Sequence, residues 1–253
     1  MTCAITKEAS QLSVIWDLGR RCTYSCSYCG PHHSNKTSPI VSFDTLKSTL
    51  DGVAEYHRLY NEQRTRPIAM HIDFTGGEPT INPNFFKFIE YAHDMYSGII
   101  IGLTTNGCYS LKQCQTVIKT TNNCTVSYHP EASPAEKSLV LANINLMKEK
   151  NYRMKVNVMF HKDYFDECVK LTKDLKSKNI KFVPRLIGDS NNKEDIKLGY
   201  SHVYNQKQMQ WFKDYWTGRQ SKVNEKAKAN KLGANLGRPC CRGIQLDVYD
   251  TKW

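Results

Sequence analysis

Arg21-Cys-Thr-Tyr-Ser-Cys-Ser-Tyr-Cys29 is the most informative run in this 253-residue chain. Its cysteines, Cys22, Cys26 and Cys29, are separated by three and then by two residues, and an aromatic residue precedes the last of them. Three thiolates on one short loop can hold three corners of a [4Fe–4S] cube. The fourth iron then has no protein ligand, and an open coordination position is typical of catalytic metal sites. The spacing therefore predicts a catalytic iron–sulfur cluster.

The alternative for these cysteines is a zinc site. Zinc usually takes four ligands, commonly from two Cys-x2-Cys pairs. The second pair would be Cys240 and Cys241, and adjacent cysteines are poorly suited to clamp one ion. We therefore favour the cluster and predict one cluster per chain, although Cys240 and Cys241 leave open whether an auxiliary cluster is bound.

Two further motifs follow the cysteines, Thr75-Gly-Gly-Glu-Pro79 and Thr105-Asn-Gly107. With the C-x3-C-x-aromatic-C spacing, and in this order, they resemble the signature of the radical S-adenosylmethionine (radical SAM) superfamily. The Cys-Gly-Pro and Thr-Gly-Gly-Glu-Pro-Thr runs and the late cysteines are similar to one branch of it. That branch contains molybdenum-cofactor-synthesis enzymes and peptide-modifying enzymes with Twitch or SPASM extensions.

The resemblance implies a division of roles within the site. Cys22, Cys26 and Cys29 would ligate the [4Fe–4S] cluster, and its open iron would bind S-adenosyl-L-methionine (SAM). Gly76, Gly77 and Glu78 would contact the methionine end of SAM. Glycine lets the backbone approach a ligand closely, and the Glu78 carboxylate is an acceptor for an ammonium group.

Four polar residues and one histidine near predicted strand ends complete the candidate site. Asn106 is either a turn residue or part of the cofactor pocket, and the resemblance places Ser127 near the SAM ribose. Asn157 either points into the barrel or satisfies a core hydrogen bond. Arg185 would meet the SAM carboxylate, an anionic substrate or solvent. Many relatives have Ser-x-Asp where this chain has Ser127-Tyr-His129, so the role of His129 is open.

Six strand-like apolar runs alternate with helical patterns, beginning at Leu12, Ala69, Ile99, Cys124, Lys155 and Lys181. This alternation predicts an α/β fold of parallel β/α units, wound either as an open barrel or as a doubly wound sheet. The resemblance implies the former, a partial (β/α)6 TIM-like barrel. We expect this core in residues 1–199. Residues 200–253 would form a short C-terminal extension, a truncated or degenerate Twitch/SPASM-like segment.

The net charge and the hydropathy pattern limit the kinds of partner and the cellular location to be expected. The net charge is +11 and the isoelectric point about 9.1, which favours anionic partners such as a nucleotide, a nucleic acid or an acidic peptide. No apolar run reaches the 18 residues of a membrane-spanning helix. The first residues lack the apolar stretch of a signal peptide. A cytoplasmic protein without membrane association is expected.

The expected activity is reductive cleavage of SAM at the cluster to a 5′-deoxyadenosyl radical that abstracts hydrogen from a substrate. Electrons would come from an external donor such as flavodoxin or ferredoxin. The branch resemblance favours a peptide or protein substrate, and the positive charge supports a nucleotide or nucleic acid as the alternative. The third hypothesis is a non-catalytic iron–sulfur redox sensor, which would need no SAM pocket.

Overall fold

A computed structural model of the chain describes residues 11–29, 34–188, 203–229 and 244–249, with side chains described up to residue 217. Strands and helices alternate along it. The strands are β1 (Gln11–Asp17), β2 (Ala69–Thr75), β3 (Ile100–Thr105), β4 (Asn123–Tyr128), β5 (Met154–Phe160), β6 (Phe182–Leu186) and β7 (Ile244–Tyr249). The helices are α1 (Phe43–Glu62), α2 (Phe85–Met95), α3 (Leu111–Thr120), α4 (Pro134–Glu149), α5 (Phe165–Ser177) and α6 (Gln206–Ala229).

All the described strands belong to one parallel sheet, in the order β6-β5-β4-β3-β2-β1-β7. Strands β1 to β6 are neighbours in sequence order, as expected for successive β/α units. The described sheet ends at β6 on one side and at β7 on the other, so it does not close. The predicted partial (β/α)6 TIM-like barrel is confirmed.

The two faces of the sheet differ in polarity, with the period of two that β-strands impose. Val14, Ile72 and Val126 are fully buried and belong to the core that the helices cover. Their strand neighbours on the opposite face, such as Ser13, Asp73 and Thr125, are only partly buried. The inner face is therefore open and polar, and it leaves room for a ligand.

The helix starts follow local sequence signals. At the start of α1, the Ser42 side chain caps the helix by accepting a hydrogen bond from the Thr45 backbone N–H. Ser110 and Ser133 each form a capping box with the residue three positions later, an arrangement that satisfies two otherwise unpaired N–H groups. Of the helices the structure describes, none combines the length and apolar character that crossing a membrane requires.

Helix α6 and strand β7, both beyond residue 199, contact the rest of the sheet. Phe212 on α6 is 2% exposed and packs against Phe160 and Phe165, with ring centroids 5.1 and 5.8 Å away. Strand β7 pairs in parallel with β1, from Leu12 opposite Ile244 onward. The boundary at residue 199 and the Twitch/SPASM-like character stay predictions, and Cys240 and Cys241 lie outside the described residues.

Candidate active site at the carboxyl ends of the strands

A cavity of about 430 Å³ opens at the carboxyl ends of β1 to β5. This end of a β/α barrel carries the active site in enzymes of that architecture. The cavity walls come from loops that are far apart in sequence, and they include Asp17, Cys22, Tyr24, Cys26, Tyr28, Cys29, Thr75, Gly76, Gly77, Thr104, Asn106, Ser127, His129 and Met159. The structure therefore brings most of the predicted site residues to one place.

All three motif cysteines line this cavity. Burial raises the pKa of the Cys22 thiol, and it raises that of Cys26 to about 12. A desolvated thiolate is unfavourable unless a cation binds it, whereas a coordinating metal deprotonates a thiol outright. The donor set therefore fits a cluster with three cysteine corners.

The cysteines do not surround a single point. In the described ranges, no three His, Cys, Asp or Glu side chains converge where one metal ion would fit. The corner thiolates of a cube each bind a different iron and need no such convergence.

Gly76 and Gly77 line the cavity. The backbone that they approach most closely belongs to the loop after β1, which carries the three cysteines and is called the cysteine loop below. A Cβ on Gly77 would lie 2.4 Å from the Arg20 carbonyl oxygen, and one on Gly76 would lie 2.6 Å from the Gly19 carbonyl oxygen. The Gly77 N–H donates to Gly19 O at 2.7 Å, and the Glu78 N–H donates to Arg21 O at 2.8 Å. These contacts join the loop after β2 to the loop after β1.

The Glu78 carboxylate is buried, and its hydrogen-bond partners are groups of the protein itself. Its side chain is 3% exposed and is absent from the described cavity wall. Oε1 accepts from the Thr80 N–H, the Thr80 hydroxyl and the Thr105 hydroxyl at 2.6–3.1 Å. Oε2 accepts from the Asn106 N–H at 2.6 Å. Burial raises the pKa of this carboxyl, and the hydrogen bonds oppose that rise. Glu78 thus ties the loops after β2 and β3 together, and a contact with SAM stays a prediction.

The remaining predicted residues divide by position. Asn106 lines the cavity and its Nδ2 donates to Thr23 Oγ1 at 2.8 Å, so the Thr-Asn-Gly turn touches the cysteine loop. Ser127 also lines the cavity. Asn157 pairs with Ser127 in the sheet, lies outside that wall, and has a buried Oδ1 without a hydrogen-bond partner in the described part of the chain. Arg185 is exposed on β6.

Lys36 is a site residue that sequence reasoning missed. Its Nζ donates to the carbonyl oxygens of Cys22, Thr23 and Tyr24, at 2.9 Å for Cys22 and 3.0 Å for Tyr24. The backbone of Asn35 also pairs with the loop, accepting from the Cys22 N–H and donating to Arg20 O. No local motif marks Lys36, because its partners are three successive carbonyls that only the folded loop turns the same way.

His129 is a second residue whose position the sequence left open. Its Nδ1 lies 2.6 Å from the Tyr28 hydroxyl oxygen and 3.3 Å from Cys26 Sγ. Burial lowers the pKa of His129 to about 4, so the ring is neutral at pH 7. The histidine therefore sits beside the middle cysteine as a neutral hydrogen-bonding group.

The chain is similar in sequence to a known protein family and to enzymes within it. Residues 16–197 match the family model described as "Radical SAM superfamily". GTP 3′,8-cyclase of Helicobacter pylori is 25% identical over 130 residues, 51% of this chain and 37% of that protein. The S-adenosylmethionine-dependent nucleotide dehydratase of Selenomonas ruminantium is 26% identical over 92 residues, 36% of this chain and 28% of that protein. The chain thus spans well under half the length of these relatives.

The solved structure of native anSMEcpe with bound AdoMet and Kp18Cys peptide has the same fold. Its TM-score to this chain is 0.51 at 19% identity, and the match covers 69% of this chain and 51% of that one.

Proposed function

This chain belongs to the radical SAM superfamily, and from that premise we propose that it is an enzyme that cleaves SAM reductively and abstracts hydrogen from a substrate. The observation that carries the proposal is the shared wall of one cavity, where three cysteine thiols face Gly76, Asn106 and Ser127. A redox sensor would need the thiols alone. The polar wall opposite them supports a second bound molecule beside the cluster.

Each part of the cavity wall has a proposed task. Cys22, Cys26 and Cys29 would hold the [4Fe–4S] cluster, which with SAM supplies the 5′-deoxyadenosyl radical that attacks a C–H bond. The Asn106 amide and the Ser127 hydroxyl would bind polar groups of SAM. Tyr24 and Met159 would keep water from the reacting atoms, since the chain's own work in such enzymes is positioning and exclusion.

A substrate-independent assay tests this function. Anaerobically reconstituted protein, given dithionite and SAM, should form 5′-deoxyadenosine and methionine. Iron analysis should give about four atoms per chain, the content of one cube. Iron near four without any 5′-deoxyadenosine would instead support a redox protein.

We also propose a cytoplasmic location and flavodoxin or ferredoxin as the electron donor.

We propose a peptide or protein as the substrate. Of the described residues that line the 430 Å³ cavity, none is lysine or arginine, the residues that a triphosphate would call for. A larger cavity of about 970 Å³ begins at Lys162, just beyond β5, and carries Asp163, Asp166 and Asp214 beside Trp211. Carboxylates and an aromatic ring suit a peptide with basic side chains. The solved neighbour was obtained with a bound peptide.

A nucleotide is the second candidate, because the two named relatives are a GTP 3′,8-cyclase and a nucleotide dehydratase. The net charge of +11 also favours an anionic substrate. Yields of 5′-deoxyadenosine with a mixture of basic peptides and with nucleoside triphosphates separate the two. Stimulation by triphosphates alone would replace the peptide proposal.

A further inference from the structure

The cysteine loop is held differently in its two halves. The first half, Cys22 to Tyr24, is fixed by Lys36, whose ammonium group donates to three successive carbonyls, and by the Asn106 side chain on Thr23. These anchors come from the segment following the loop and from the loop after β3. They leave the middle and last cysteines to other contacts.

The second half, Cys26 to Cys29, contacts residues that follow β4 and also His161, which follows β5 and lies 3.5 Å from Ser27 Oγ through its Nε2. The Ser27 N–H donates to the Glu131 carboxylate at 2.9 Å. Nδ1 of His129 lies 2.6 Å from the Tyr28 hydroxyl and 3.3 Å from Cys26 Sγ. The Tyr28 and His129 rings are parallel within 2°, with centroids 6.0 Å apart. One histidine atom thus touches two residues of the motif.

We infer that His129 is a positioning residue for the cysteine loop, and that its Nδ1, shared by Tyr28 and Cys26, sets the direction in which the Cys26 thiol faces the cavity. A bare Nδ1 accepts the Tyr28 O–H proton, and a protonated Nδ1 donates to the sulfur. The first form holds Tyr28 and the second holds Cys26 directly, so either form ties the second half of the loop to the end of β4, which the sheet holds in place.

The charge of the side chain at position 129 affects the Cys26 thiolate beside it. An aspartate at position 129, as in the Ser-x-Asp pattern, would place a negative group beside the thiolate of Cys26 and disfavour its charged form. An imidazole supplies a hydrogen-bonding atom and carries no negative charge. Hydrogen bonds to cluster sulfurs and their surroundings are levers by which proteins orient and tune metal ligands.

The first test uses metal-free protein and does not depend on the cluster. The alkylation rates of Cys22, Cys26 and Cys29 by iodoacetamide are measured by peptide mass spectrometry in wild type, His129→Phe and Tyr28→Phe. We expect His129→Phe to change the rate at Cys26 by about twofold to tenfold, the factor one hydrogen bond supplies. Losing a bare acceptor frees the thiol and raises the rate, whereas losing an N–H donated to the sulfur disfavours the reactive thiolate and lowers it. Cys22, held by Lys36, should change less than twofold. Unchanged Cys26, or an equal change at all three, would overturn the inference.

A double variant and a rescue variant sharpen the result. If both residues act through one shared contact, Tyr28→Phe/His129→Phe should change the Cys26 rate no more than the larger of the two single changes. His129→Asn, which keeps a polar atom near the place of Nδ1, should return the Cys26 rate part of the way to the wild-type value. His93→Phe, at an exposed position on α2, is the matched control and should leave all three rates unchanged.

The same variants are then tested with the cluster, which rests on the proposed function. His129→Phe should lose iron to a chelator several-fold faster than wild type and His93→Phe. Unchanged alkylation at Cys26 overturns the positioning role whatever the iron loss. Wild-type protein that takes up no iron would overturn the proposed function, while the alkylation result would still decide the role of His129.

Discussion

The cysteine loop and the Gly-Gly-Glu segment are both sequence motifs, yet they meet the cavity in different ways. The side chains of Cys22, Cys26 and Cys29 line it. The Glu78 side chain is buried outside the described wall, where it accepts hydrogen bonds from the loops after β2 and β3. One motif brings three thiols to the cavity, and the other joins loops that form its wall.

One motif can thus combine residues that line a cavity with a residue that supports its wall. Glycine is required at Gly77 because a side chain there would collide with the Arg20 and Arg21 carbonyls.

The donor role predicts the largest effect. Cys26→Ala should lower SAM cleavage by more than roughly a hundredfold, because losing a ligand exceeds the effect of losing an outer-shell partner. Iron content and 5′-deoxyadenosine measure it. Cys168→Ala, a buried thiol on α5, is the matched control and should keep both. Normal cleavage by Cys26→Ala would end the cluster assignment.

The supporting role predicts a stability effect at Gly77. Gly77→Ala would place Cβ 2.4 Å from Arg20 O and 2.5 Å from Arg21 O, and such overpacking lowers the free energy of unfolding by about 1–3 kcal/mol. Urea unfolding measures it. Gly52→Ala on α1, where a Cβ meets nothing within 4 Å, should instead stabilise by about 0.5–1 kcal/mol. An unchanged free energy of unfolding in Gly77→Ala would contradict the close approach of the two loops.

Glu78 separates the two roles most directly. Glu78→Ala leaves the buried Asn106 N–H unpaired, which should lower the free energy of unfolding by about 1–3 kcal/mol. SAM affinity should fall with it, since the Asn106 turn shifts. Calorimetric SAM titration and urea unfolding are compared for Glu78→Ala and Glu78→Gln. A tenfold or greater affinity loss at unchanged stability, as one charge-assisted hydrogen bond would give, would restore the direct ammonium contact.

The smallest effect is expected far from both motifs, at Asp51 on α1. Hydrogen bonds from Lys47 and Tyr96 lower its pKa from 3.8 to about 2. Since the folded-state pKa is lower than the unfolded one, its stabilising contribution is present above pH 3.8 and is lost as pH falls toward 2. Asp51→Asn should remove that part of the acid sensitivity of the urea midpoint. Changed iron content in this variant would show that α1 supports the cluster after all.

The fold was predictable to a large extent because its signals are local. The apolar run that begins at Ala69 is β2 (Ala69–Thr75), and the one that begins at Ile99 is β3 (Ile100–Thr105). Apolar patterning fixes such elements within a few residues. The place of β7 beside β1 was not predictable, because strand pairing across the whole chain leaves no local pattern.

The sequence alone determined the donor set of the candidate site, since three thiolates at this spacing have few chemical uses, and it determined the β/α alternation. Only the tertiary structure decided what supports those donors. Cys26 and His129 are 103 residues apart in sequence, yet their side-chain atoms lie 3.3 Å apart. Parallel strands bring their carboxyl ends to one edge of a sheet, so residues from remote loops meet there, and the identity of the partners depends on the packing of the whole barrel.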